Sequence, residues 1–249
     1  MPQAVRERLR AGLHVVPMPA GKVVYEAGEP ISHVYFPLRG CIVSKMQVML
    51  DGSSAEVAIV GHEGVVGVAA FMGGGASTNR AIVVNAGEAL RLDARVLVSE
   101  FNRSADLQML LLRYTQALIT QLAQTTVCNR HHSVVQRLCR FLLASLDRLP
   151  STQLRITQET IAQMLGVRRE GVTEAALGLQ ARNVIHYRRG VIEILDRPAL
   201  EKRACECYAV VAVEYERLLP EPAAARPAAA RPLSSPSLVP PREWLCATA

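Results

Sequence analysis

The stretch from Ile156 to Leu195, ITQETIAQMLGVRREGVTEAALGLQARNVIHYRRGVIEIL, constrains the fold of this chain more than any other. Thr157 offers a side-chain oxygen to cap a helix whose apolar positions are Ile161, Met164 and Leu165. Gly166 then permits the left-handed turn that lets the chain fold back. A second helix is expected from about Arg169 to Gln180, turning Val172, Ala176 and Leu179 inward. Ala162 precedes the glycine by one helical turn, where a small side chain lets two crossing helices approach, and Val172 follows where an apolar plug closes the angle. A generic helical hairpin needs none of these at fixed offsets, so the spacing describes a helix-turn-helix. Beyond it, NVIHYRRGVIEIL alternates apolar and polar on both sides of Arg188-Arg189-Gly190, the pattern of a β-hairpin with glycine at its tip. The unit reads as a winged helix.

Its charge says what such a unit would face. Arg168, Arg169, Arg182, Arg188 and Arg189 stand against only Glu170 and Glu174, so the local field favours phosphate. The whole chain leans the same way, with 28 Lys+Arg against 22 Asp+Glu and a formal charge of +6. Double-stranded DNA is the expected partner. The alternative is a ligand-binding or protein-interaction module whose winged helix contacts a partner protein.

Upstream, from about Leu13 to Leu97, short β-like runs such as KVVYEAGEP, HVYFPLRG, CIVSKMQVML and AIVVNAGEALRLD are separated by Gly, Pro, Asp or Ser, which points to a sandwich or barrel. From about Ala105 to Leu149 neither Gly nor Pro interrupts a helical pattern too long for one ordinary helix. Polar residues 129–132 suggest a break. In the first helix Leu107, Leu111, Tyr114, Leu118, Gln121 and Leu122 form a stripe, and Leu110, Leu112, Ala117 and Ile119 widen it. So much apolar surface calls for a second partner, and the same helix of a second copy is the expected one, with Leu111 and Leu118 in the seam. The domain reading is a β-rich sandwich or barrel over 13–100, a dimerisation helix over 104–130, a winged-helix DNA-binding domain over 131–219 and a disordered Pro/Ala-rich tail over 220–249. The fold class is α+β. No apolar run is long enough to span a bilayer, and MPQAVRERLRAGLHVVPMPAG lacks the features of a secretory signal, so a cytoplasmic protein with no membrane partner is expected.

On these residues the chain resembles the bacterial Crp/Fnr transcription regulators, over about residues 13 to 219. ITQETIAQMLGVRREGVTEAALGLQARNVI looks like the family's DNA-reading segment, with Arg169-Glu170 and Val172 where the family starts its recognition helix. AGKVVYEAGEPISHVYFPLRG is similar to the opening strands of the cyclic-nucleotide-binding roll, so the resemblance implies a β-roll sensor domain over 13–100. The resemblance implies a dimeric regulator that reads DNA through Arg168, Arg169, Glu170, Thr173, Glu174, Arg188 and Arg189. RNA polymerase stands as a further candidate partner.

The resemblance also says where an effector would bind, and there the pattern departs. Nucleotide-binding members use a glycine followed by an acidic residue for the ribose, then Arg-Ser or Arg-Thr for the cyclic phosphate. Here Gly67 is followed by Val68, and Arg80 by Ala81. Gly67, Val68 and Arg80 remain the effector-pocket candidates, but cyclic nucleotide is not expected. An N-terminal iron-sulfur cluster is not expected either, since no cysteine precedes Cys41. A haem sensor stays open, because one His or Cys suffices as an axial ligand. The six cysteines show no paired spacing; Cys205-Glu206-Cys207 and His131-His132 read as helix and helix-junction residues, and no metal site is assigned. Neither a phosphate-binding loop nor a GxSxG elbow occurs, and Gly73 to Gly75 lack a following Lys-Ser or Lys-Thr, so no catalytic residue is named.

Overall fold

The computed structural model describes residues 2–220, and the Pro/Ala-rich tail read as disordered lies outside the described residues. A helix that the strand pattern did not announce, α1 (Gln3–Gly12), comes first and seats Val5 and Leu9 in the core. Its Arg8 guanidinium donates to both carboxylate oxygens of Glu100, each at 2.8 Å.

The roll follows as β1 (His14–Met18), β2 (Val23–Tyr25), β3 (His33–Pro37), β4 (Ile42–Val48), β5 (Ser54–Val60), β6 (Arg80–Asn85) and β7 (Gly87–Asp93). They form two antiparallel sheets, ordered β1-β7-β3 and β2-β6-β4-β5. Alternation along the strands sends Met18, Val34, Val43, Val60, Val83 and Leu92 into one core between the sheets. Helix α2 (Ala94–Arg103), capped by Asp93, leads from the roll into the long α3 (Ala105–His131), capped by Ser104.

Helix α3 ends at His131, and Ser133 starts α4 (Val134–Leu146) with a capping box in which Ser133 and Gln136 satisfy each other's backbone N–H groups. The break falls where the polar residues placed it. The face of α3 is another matter. Leu107, Leu111, Tyr114, Ala117 and Leu118 are buried, all but Ala117 within the roll's own core, so the expected seam through Leu111 and Leu118 is misplaced. The reason is the roll itself, which covers that face and leaves Met109, Leu110, Leu112, Ile119 and Val127 in solvent. Met109, Leu112, Ile119 and Val127 recur at helical spacing along one side.

The remainder is β8 (Gln153–Arg155), α5 (Gln158–Leu165), α6 (Arg169–Gln180), β9 (Ile185–Arg188), β10 (Val191–Ile194), α7 (Arg197–Glu201) and α8 (Glu206–Leu218). Strand β8 adds a third member to the hairpin sheet, in the order β8-β10-β9. One cluster of buried side chains holds this head together and runs on into the roll: Leu138, Phe141, Leu142, Leu165 and Val172 share a core with Ile42, Met46, Ile59 and Val84. A Cβ on Gly166 would meet Ala55 Cβ at 3.2 Å, so the turn of the helix pair rests on β5.

A buried ion pair ties the two parts at the loop after β5. Arg148 donates to Glu63 Oε1 from Nε at 2.8 Å and approaches it from Nη2 at 2.7 Å. Gly61 and Gly64 flank this carboxylate because there is no room for more: a Cβ on Gly61 would lie 2.7 Å from Arg148 Cγ, and one on Gly64 2.5 Å from the Tyr114 ring.

Candidate nucleic-acid interface

The helix pair forms for local reasons. Thr157 Oγ1 accepts from Thr160 N–H at 3.1 Å, and Gly166 takes φ of 60° as the left-handed cap of α5. Ala162 and Val172 are both buried at the crossing. Arg137 of α4 donates to the Leu165 carbonyl, satisfying the end of α5 just before the turn. The wing closes on Arg189 and Gly190 at φ of 49° and 75°, the positive pair that a two-residue hairpin turn requires. It is braced against the helices by Tyr187, whose N–H donates to Gln180 Oε1 at 2.9 Å and whose hydroxyl donates to the Ile156 carbonyl at 3.2 Å.

On this scaffold Arg168 is the N-cap of α6 and Arg169 and Glu170 its first turn, all exposed, while Glu174 is exposed one turn later. Arg188 and Arg189 are exposed at the wing tip. Among the described residues none of these four arginines forms an ion pair, and neither does Glu174. Their charge is left for solvent or a ligand. Thr173 differs: it is half-buried, and its hydroxyl donates to Gln158 Oε1 at 2.8 Å, joining the two helices. Arg182, just beyond α6, donates to the Gly178 carbonyl in that helix's last turn at 2.8 Å. The surface offered is thus a helix N-terminus with an Arg-Glu pair, which can present bidentate donors and an acceptor to base edges, beside a cationic wing suited to phosphate.

The effector candidates are not brought to one site by any hydrogen bond or ion pair among the described residues. Gly67 takes φ of 107° at the start of a short 3-10 turn, Val68–Ala70, packed near Val34 and Ile31. Arg80 lies on β6, and its Nε donates to Glu26 Oε2 at 2.7 Å, a partner that sequence spacing could not reveal. Two open clefts of about 310 and 400 Å³ lie along α2, lined by residues such as Asp93, Arg95 and Ser99, and neither is lined by Gly67, Val68 or Arg80. Residues that sequence reading left apart do converge elsewhere: Cys128, His132, Cys205 and Cys207 meet at the end of α3, while His131 is exposed and not among them.

A two-sheet roll, a long helix and a basic winged helix on one chain define a class of DNA-binding protein. Residues 15–104 match the cyclic nucleotide-binding domain family and residues 136–203 the Crp-like helix-turn-helix domain family. The global nitrogen regulator of Nostoc sp. is 26% identical over 183 residues, covering 70% of this chain and 81% of that protein. The fold matches FixK2 from Bradyrhizobium japonicum with a TM-score of 0.67 at 17% identity, over 78% of this chain and 98% of that one. It also matches a CRP-family transcriptional regulator from Thermus thermophilus with a TM-score of 0.63 at 19% identity, over 76% and 96% of the two chains. The chain belongs to the Crp/Fnr family and is a DNA-binding transcription regulator of that type.

Proposed function

We propose that the protein acts as a homodimer that reads a two-fold operator through α6 and contacts the flanking phosphates through the wing, working by binding and not by catalysis in the cytoplasm. The single observation that carries this reading is the shared exposed face: Arg168, Arg169, Glu170 and Glu174 on α6 and Arg188 and Arg189 on the wing, all in solvent and all without a protein counter-ion among the described residues. Dimerisation is supported by the apolar side of α3 that the roll leaves uncovered, Met109, Leu112, Ile119 and Val127, which suits a parallel pairing of two copies. No helix among the described residues is long and apolar enough to cross a membrane.

The roll takes an effector other than a cyclic nucleotide bound in the family's usual manner. A ribose needs a hydrogen-bonding partner where Val68 stands, and a buried phosphate needs a free cation, whereas Arg80 is already engaged by Glu26. RNA polymerase is proposed as the downstream partner on fold-level analogy alone. Selection of binding sites from a random pool, run on wild type and Glu174→Arg, tests the reading surface: the two logos should differ at the base pair facing residue 174, because Glu accepts from cytosine N4 where Arg donates to guanine. Identical logos would show that Glu174 reads nothing.

A further inference from the structure

The convergence at the end of α3 joins residues distant in sequence. Cys128 and His132 are one turn apart on the same side of the helix's last residues, and His132 is its C-cap. Cys205 is the N-cap of α8 and Cys207 lies in its first turn, so both thiols enter from the opposite side. Cys128 and Cys205 are 77 positions apart, yet their sulfurs are 3.5 Å apart. Cys207 Sγ lies 3.6 Å from His132 Nδ1, and the four ligand atoms all lie within 4.8 Å of one another. The three cysteines form their own buried cluster, at 0%, 5% and 1% exposure.

We propose that Cys128, His132, Cys205 and Cys207 bind one tetrahedral zinc ion that pins α8 to the junction between α3 and α4. The spacing selects the kind of metal centre. With Zn–S near 2.3 Å, two sulfurs on a tetrahedral ion stand about 3.8 Å apart, close to the separations here. The ligands of an iron-sulfur cluster sit on different irons and must stand further apart than ligands on a single ion. Three thiolates with one imidazole match a structural zinc set, closed to substrate.

The surroundings complete it. His132 would bind through Nδ1, and its Nε2 is 3.4 Å from Glu206 Oε1, the outer carboxylate that orients a metal-bound imidazole. Three thiolates on a divalent ion leave one net negative charge. Arg137 and Arg140 supply the compensating field: both are buried, both lie within electrostatic reach of Cys128, and their Nε atoms have no partner. Arg137 is also the residue that caps α5 at Leu165, so the ion would hold the start of α4 and, through Arg137, the turn of the reading pair.

The test uses the full-length chain, purified anaerobically under a phosphine reductant and assayed for metals by mass spectrometry. Wild type and Cys41→Ala, which alters a buried cysteine outside the cluster, should carry about one zinc per chain. Cys205→Ser/Cys207→Ser should fall at least about tenfold below that, and His132→Ala should drop while His132→Cys, which restores four ligands, should not. Should the double variant fail to fold, cobalt replacement in wild type gives an independent reading, with the visible bands and intense sulfur-to-metal absorption of a tetrahedral thiolate site. Protein that takes up neither zinc nor cobalt would overturn the proposal. So would iron accompanied by acid-labile sulfide, or full zinc content in the double variant.

Discussion

Glu56 offers a quantitative probe of how the reading head is docked on the roll. It lies on β5 at 6% exposure, and its Oε2 accepts from the Ser44 hydroxyl at 2.8 Å. Burial raises its carboxyl from 4.5 to about 7, against the opposing pull of Ser44, Arg140 and Arg148. In the unfolded chain the same carboxyl titrates near its ordinary 4.5. Between those two values the folded state holds the proton more tightly than the unfolded state, so stability must fall as pH rises. The favourable contribution is complete below about 4.5, declines through about 7 and is gone above it, a loss of about 3 kcal/mol at roughly 1.4 kcal/mol per pH unit. Glu56→Gln keeps the shape and removes the ionisation. Urea unfolding of both proteins, at fixed ionic strength and closely spaced pH values, should show the variant gaining about 3 kcal/mol on wild type between pH 4.5 and 8. Taking the difference cancels the contribution of every group that the two proteins share. A difference constant to within about 0.5 kcal/mol across that span would refute the assignment of a buried, protonated Glu56.

Replacing Leu112 and Ile119 by Glu should give a folded monomer by sedimentation, whereas Leu111→Glu should unfold the chain, because it places a charge in the roll's core. Glu63→Ala, which strands the buried Arg148 guanidinium, should cost about 3 kcal/mol in chemical denaturation. Arg169→Ala should lose roughly 1 to 3 kcal/mol of operator binding and relax selectivity at one base pair, while Arg189→Ala should weaken all sequences alike and flatten the salt slope by about one unit. Millimolar cyclic AMP or cyclic GMP should leave the melting temperature unchanged; a rise that grows with ligand concentration would restore the roll as a cyclic-nucleotide site.

What could be read from sequence follows from how local each determinant is. The helix pair was legible because Thr157, Ala162, Gly166 and Val172 act within one short stretch, and each does what its residue type implies. Helix α3 was legible as a helix but its outward face was not. Leu111 and Leu118 differ little from Met109 and Ile119 in hydropathy, and only the position of the roll decides which are covered. The Glu26 partner of Arg80 is 54 positions away, and Cys205 stands 77 positions from Cys128, so neither leaves a spacing to recognise. The glutamate and glycines of the GHEG loop at 61–64 are explained only by what packs onto them, Arg148 and Tyr114.

The common core of roll and head bears on how this regulator could be re-engineered. Ile42, Met46, Ile59 and Val84 are buried by side chains such as Leu138 and Phe141 of the head, so neither half ends in a finished surface. A chimera that grafted a relative's winged helix onto this roll would bring mismatched apolar shapes to that seam, and a truncation at the α3–α4 junction would bare the roll's half of it. Roll and head are therefore not interchangeable cassettes in this chain: they have to be redesigned as one piece.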